Sequence, residues 1–448
     1  MTKARTYTGR TRGICTALAL PLLLGACSLD TLLEANDPFT VTPGVARDTA
    51  NLTTLYAGAR SQFALAFAGL QNNEGGIIMM SGLMSDELYG SDNFDTRVAV
   101  DRRVINYDQS NAASDFAFIY LQRARAEALN AVDLYASSPR AGDARHAELY
   151  NIAGFSLIML AENFCAGIPL SRITETGVEF GDPRSATELY QLAITHFDAA
   201  LAMPNAGARQ HDLARIGKAR AQNDLGEFAA AAQTIAPVQT SFTYNIEYAS
   251  GSFYTPNAIF NMNNEERRFG VSQQEGTVNR GLAFGARAAT DPRISISPTP
   301  VQSNAGDVQA WLQLKYPSQS APVPLATGIE ARLLEAEAQL NRGNSNAYLA
   351  TLNALRNGAG ITVPLVDPGT PEARVNQFFE ERAYWLWLTG HRLSDLRRLI
   401  RQYGRTQETV FPTGNTMRGV PYGTAVSLPI PFNEVNNLNY TTCTERGA

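Results

Sequence analysis

From Leu52 onward, apolar side chains recur at three- and four-residue steps (Leu52, Leu55, Ala59, Phe63, Phe67), which places them on one face of a helix. The same period predicts helices over Asp115 to Tyr135 and Arg145 to Phe164, the second with Leu149, Ala153, Leu157 and Leu160 as its apolar stripe. Between the first two lies a polar, aromatic-dotted stretch, roughly Gln71 to Ser114, in which little helical period is visible. Alternation of apolar and polar residues in "VQAWLQLKY", around Trp311, predicts a strand with one face turned inward.

The centre of the chain reads as helix pairs similar to tetratricopeptide repeats. In "ATELYQLAITHFDAALAMPN", Tyr190, Ala193, Phe197 and Ala200 occupy the aromatic and small positions of that motif's second helix. A second pair runs through "DLARIGKARAQNDLGEFAAAAQTIAPV" and turns at Gly226-Glu227-Phe228. A third, "IEARLLEAEAQLNRGNSNAYLATLNALR", sets Ile329, Leu333, Ala336 and Leu340 on one face and turns at Gly343. Small residues let paired helices approach closely, and stacked pairs bury one continuous core. From about Thr240 to Pro324 this pattern gives way to Gly-, Pro-, Asn- and aromatic-rich sequence. So long an interruption inside a compact domain usually carries function. The expected fold is all-α: a tetratricopeptide-like scaffold with long irregular loop insertions and minor β-strands.

The N-terminus adds an address. Basic residues run to Arg12, an apolar run spans Ile14 to Leu24, and Leu24-Gly25-Ala26-Cys27 follows. The run is too short to cross a bilayer and reads as a signal peptide over residues 1–26. Gly25-Ala26 before a cysteine resembles the bacterial lipobox. Cys27 would then be lipidated and residues 27–44 would form a polar tether to a single domain over 45–448. At about 0.8 kcal/mol per buried methylene, two or three acyl chains hold such a domain at a membrane. Beyond the signal peptide 33 bases face 42 acids, a net charge of −9, which argues against a nucleic-acid partner. In an oxidising compartment the remaining cysteines, Cys165 and Cys443, either pair as a disulfide or stay as two buried thiols.

Several segments together resemble the RagB/SusD family of outer-membrane nutrient-uptake lipoproteins. "DPRI" (Asp291 to Ile294) precedes "WLQLKY", then the helices "EARLLEAEAQL" and "YLATLNALRNGAG". "FFEERAYWLWLTGHRLSDLRRL" is similar to that family's Glu-Arg…Gly-x-Arg…Asp-Leu helix pair, and "LPIPFNEVNNL" to its closing Pro-Ile-Pro segment. Upstream, "FAFIYLQRARAEALNAVDL" and "ENFCAGIPLS" resemble its early helices. The resemblance implies a non-catalytic lipoprotein that sits on the outer membrane as a lid over a TonB-dependent transporter barrel, binds an oligosaccharide or a peptide and delivers it to the pore.

Candidate ligand-binding residues cluster in "SDELYGSDNFDTR": Asp86, Tyr89, Asn93, Phe94, Asp95 and Arg97, with Trp311 as a second contribution. Sugars offer apolar ring faces and hydroxyl rims, so aromatic rings flanked by Asn, Asp and Arg suit them. The alternative is that these aromatics anchor the loop to the core. Asp92, Asn93 and Asp95 carry oxygens of the kind calcium takes, without the glycine-and-glutamate spacing of a calcium loop. Glu381, Arg382, Arg392, Asp395 and Arg397 read as ion pairs on amphipathic helices, and Trp385 and Trp387 as packing. The four histidines are scattered, and neither a Cys-x-x-Cys nor a nucleophile elbow, phosphate loop or dinucleotide fingerprint occurs, so neither metal nor cofactor is expected. Two other readings are a repeat scaffold for envelope assembly and a glycoside hydrolase built on Glu381.

Overall fold

The protein is described here by a computed structural model over residues 51–448, apart from 71–73, 109–110, 175–176, 252–254 and 441. The expected signal peptide, Cys27 and the tether lie outside the described residues.

Most helices form where the period was legible, and six of the longer ones start at a polar side chain that caps them: Asn111, Asp143, Ser185, Thr327, Asn344 and Thr370. α1 (Leu52–Ala68) is followed by α2 (Ile77–Met84), α3 (Asp95–Asp101), α4 (Ala112–Ala136) and α5 (Ala144–Asn163). The Asp143 carboxylate accepts the N–H groups of Arg145 and His146, which opens α5. From His146 to Asn163 nearly every residue of α5 is buried, so it is the central helix of the fold. α6 (Ala186–Leu201) opens with a Ser185–Glu188 capping box and buries Tyr190, Ala193, Phe197 and Ala200. α7 (Ala208–Asp224) and α8 (Phe228–Ile235) form the next pair, then α9 (Gly328–Asn341) with α10 (Ser345–Gly358), and α11 (Pro371–Trp385) with α12 (Arg392–Tyr403). Consecutive helices from α4 to α10 lie against one another, and α12 returns to pack on α2 and α5. Close approach has a visible cause at Phe197. A methyl added at Gly154 of α5 or Gly217 of α7 would stand 2.6 or 2.3 Å from its ring, so both helices keep glycine there.

Two stretches correct the sequence reading. The segment 71–114 holds α2 and α3. α2 is invisible to periodicity because all eight of its residues, Ile77 to Met84, are buried, leaving no polar face to alternate with. The insertion is not structureless either. Its two ends pair antiparallel, Thr243 opposite Thr327 and Ile246 opposite Val323, and strand Leu88–Gly90 pairs with Phe269–Val271 inside it. Among the described residues no helix is long and apolar enough to cross a membrane.

A buried ionic network ties the last helices to the centre. Arg220 donates to both carboxylate oxygens of Glu162 at 2.6 and 2.5 Å. Arg382 grips Asp395 at 2.8 and 2.9 Å. Arg398 reaches Asp395 at 3.3 Å, Asp224 at 3.5 Å and Glu337, whose same oxygen also accepts the Tyr403 hydroxyl. Arg398–Asp395 lies within one helix, as expected, and Arg382–Asp395 joins two consecutive helices, while the bonds to Glu162, Asp224 and Glu337 join helices distant in sequence. Cys165, just past α5, is joined to Cys443 by a disulfide with Cα atoms 5.7 Å apart. Around it the C-terminal tail is hydrogen-bonded to the helix exit through Cys165 N to Leu428 O and Thr444 N to Ala166 O, both 2.9 Å.

Candidate ligand surface

The residues that follow α2 split into an internal and an external set. Asp86 is fully buried: Arg392 donates to its two oxygens at 2.6 and 2.8 Å, and the Leu282 N–H adds a third bond at 2.7 Å. It pins the insertion to α12 and has no oxygen left facing solvent. Tyr89 is 1% exposed; its ring covers Gly270 across the strand pair and its hydroxyl donates to the Gln309 carbonyl. Arg97 is buried and paired with Asp92 at 2.5 Å. Asp86, Tyr89 and Arg97 therefore hold the loop in place instead of facing a ligand. For them the core-anchoring alternative describes the geometry.

Glu87 shows how strongly this region is sealed. Its Oε1 accepts the Leu388 N–H at 2.9 Å, and Oε2 meets no partner. Burial pushes its pKa up to about 8. Nearby Lys315 is brought down to about 8 by burial, and donates to the Trp387 carbonyl. Leu388 adopts a left-handed backbone, φ 53°, held from both sides by Glu87 and by the Tyr316 hydroxyl on its carbonyl at 2.8 Å. Since Glu87 keeps its proton in the folded chain up to about pH 8 and loses it near 4.5 when unfolded, its contribution is intact below 4.5 and lost as pH rises through 8. Glu87→Gln should leave stability near pH 4 little changed and raise it at pH 8 by a few kcal/mol. Urea midpoints at both pH values check this, and parallel pH profiles for the two proteins would refute it.

Outside, Asn93, Phe94 and Asp95 are exposed, Phe94 to 52%. That ring is nonetheless fixed. The guanidinium of Arg97 lies 4.8 Å from its centroid and that of Arg268 5.3 Å. Both arginines are locked on buried Asp92, Arg268 at 3.0 Å, and Asp92 Oδ1 also accepts the N–H groups of Asn93 at 2.7 Å and Phe94 at 3.2 Å. Arg418 closes the ring of contacts by donating to the Asp92 carbonyl at 2.8 Å. So three parts of the chain converge on Asp92: the loop itself, the insertion and the C-terminal region. Arg268 and Arg418 were not foreseen, because contacts 176 and 326 residues apart leave no local spacing to read. Trp311 is half-buried, and its carbonyl accepts Val271 N at 2.9 Å, one strand beyond Leu88–Gly90.

A cavity of 340 Å³ lies elsewhere, between α1, α5 and the segment 243–249, walled by Tyr56, Phe63, Tyr244 and Tyr248. Glu148 at its edge is already taken by Arg60 at 3.0 Å, Tyr56 at 2.7 Å and Gln210 at 3.0 Å. Glu381, the carboxylate a hydrolase would need, is 2% exposed and held by Arg293 at 2.6 Å and Arg356 at 2.5 Å. Among the described residues no cluster of His, Cys, Asp or Glu could hold a metal ion.

Compared by sequence, the chain matches no protein-family model and no curated protein. Solved structures do match. A SusD superfamily protein from Bacteroides vulgatus superimposes with a TM-score of 0.65 at 16% identity, over 89% of this chain and 99% of that one. A SusD-like carbohydrate binding protein from the same species gives 0.64 at 14%, over 88% and 97%. Surface glycan-binding protein A from Bacteroides uniformis gives 0.64 at 15%, over 88% and 99%. Across nearly nine-tenths of its length, then, this chain has the fold of the SusD-like proteins.

Proposed function

We propose that the protein binds glycans without turning them over, and that Phe94, with Asn93 and Asp95 beside it, is part of the contact surface. The observation that carries this is the fixed but half-exposed Phe94 ring. Leaving an aromatic in water forgoes burial energy, and clamping it from behind removes the ordering cost a ligand would otherwise meet. A sugar ring can stack on it while Asn93 and Asp95 reach the hydroxyls. Two proteins of the same fold are described as carbohydrate binding and surface glycan-binding, which supports the reading. The lipobox-like Gly25-Ala26-Cys27 supports the wider one: a lipid-anchored outer-membrane protein that passes its ligand to a TonB-dependent barrel.

Isothermal titration against a panel of oligosaccharides and peptides tests the binding. Phe94→Ala should weaken the glycan that binds by at least tenfold, since aromatic stacking is worth about 1 kcal/mol or more beyond burial. The fold should survive, because the ring is exposed. No heat from any glycan, or an unchanged affinity in the variant, would remove Phe94 from the site. Incorporation of a clickable fatty acid into the wild type and its loss in Cys27→Ser would test the anchor, and co-purification of a barrel the delivery.

A further inference from the structure

Arginines buried in the helical core of this protein mostly meet carboxylates: Arg220, Arg382 and Arg398 each do. Arg125 on α4 does not. It is 3% exposed, and its hydrogen bonds go to neutral groups, the Gln122 side chain at 3.0 Å and the Ser171 carbonyl at 2.7 Å. Arg103 and Arg397 also rely on carbonyls, but neither lines a cavity described here. Arg125 opens onto a cavity of 300 Å³ between α4, α5, α6 and the antiparallel strands Arg172–Thr174 and Gly177–Glu179, shared with Arg172, Arg184 and His196. Arg184 is paired with Glu188 at 3.0 Å. Arg172, exposed at the mouth, makes no ion pair among the described residues.

Two arginines without a carboxylate partner among the described residues, Arg125 and Arg172, line this cavity. Burial and the charges of Arg125 and Arg172 push His196 down to about 4, so the imidazole is neutral at physiological pH and can donate one N–H. Burial and Arg172 also bring Arg125 down to about 10. The acids in reach are Glu179 and Asp182, both exposed at the rim, and Glu434, whose charge Arg125 feels and whose own pKa burial raises. The remaining wall is apolar, with Leu129, Leu157, Leu170 and Phe180. A buried guanidinium lacking a carboxylate partner is costly, and an entering oxyanion supplies what the chain omits.

We propose that this cavity binds a compact oxyanion, a carboxylate or sulfate borne on a single ring that rests on the leucine wall, at a site separate from Phe94. Arg125 and Arg172 would hold its oxygens, and the volume suits one ring. The test follows the His196 ring signals by NMR in the full mature chain while glucuronate, sodium sulfate or glucose is added at constant ionic strength. Glucuronate and sulfate should move them saturably and raise the His196 pKa towards 6.5, with glucuronate binding more tightly, and glucose should do neither. Arg172→Ala, at an exposed position, should weaken both anions at least tenfold without loss of folding. Asp182→Asn should tighten them several-fold by removing a negative charge from the mouth. A non-saturating response equal to that of chloride, or anion affinity unchanged in Arg172→Ala, would overturn the proposal. Because the glycan surface lies elsewhere, failure here would leave Phe94 binding unaffected.

Discussion

Arg398→Met is expected to lower the stability of the folded chain by about 3–5 kcal/mol, the range for removing one partner of a buried ion pair. Arg398 is 1% exposed and serves Glu337, Asp395 and Asp224 at once. Methionine fills much of the space but leaves Glu337, which is fully buried, with the Tyr403 hydroxyl and the Asn223 amide as its remaining partners. The penalty is therefore an uncompensated charge more than lost packing. Adding Glu337→Leu to the first change should recover part of the loss, since an apolar pair needs no counter-charge. Urea denaturation followed by tryptophan fluorescence measures both. A single-variant loss under about 1 kcal/mol, or a double variant no better than the single, would show that the network matters little.

Removing the disulfide should cost a similar amount by a different route. Cys165 and Cys443 close a loop of 278 residues, and chain entropy alone assigns such a cross-link about 5 kcal/mol. Cys443→Ser, or reduction of the wild type, should lower the denaturation midpoint. It should also make the tail after Leu428 the first segment cut by a protease, because only a few hydrogen bonds hold it near Ala166. The same midpoint with and without reductant, and no early cleavage, would mean that packing alone retains the tail.

What could be read in advance follows from what each residue does. α6, α9 and α10 present one buried and one wet face, so their period is plain in the sequence. α2 is wet on no face and was lost for that reason. The candidate loop was located, yet its members divide by burial. Asp86, Tyr89 and Arg97 share residue types with a sugar site but spend them on Arg392, Gln309 and Asp92, while Asn93, Phe94 and Asp95 stay outside. Residue type cannot separate the two sets, because only the far partners decide which side chain is spoken for. Glu381 shows the same thing, since its partners Arg293 and Arg356 come from elsewhere in the chain, whereas Asp395 pairs with Arg382 and Arg398 inside the α11–α12 pair where carboxylates and arginines were visible.

The ribbon that pairs Thr243–Ile246 with Val323–Thr327 lets the chain leave the helical frame and rejoin it at one place. The parts of the excursion that make no tie to the frame can change length or sequence with little demand on the spacing of the helices around it, so long as strand Phe269–Val271 keeps its pairing and Arg268, Leu282, Arg293 and Tyr316 keep their moorings on Asp92, Asp86, Glu381 and Leu388. A lineage built on this plan could therefore rewrite the free parts of the excursion and leave its supporting architecture untouched.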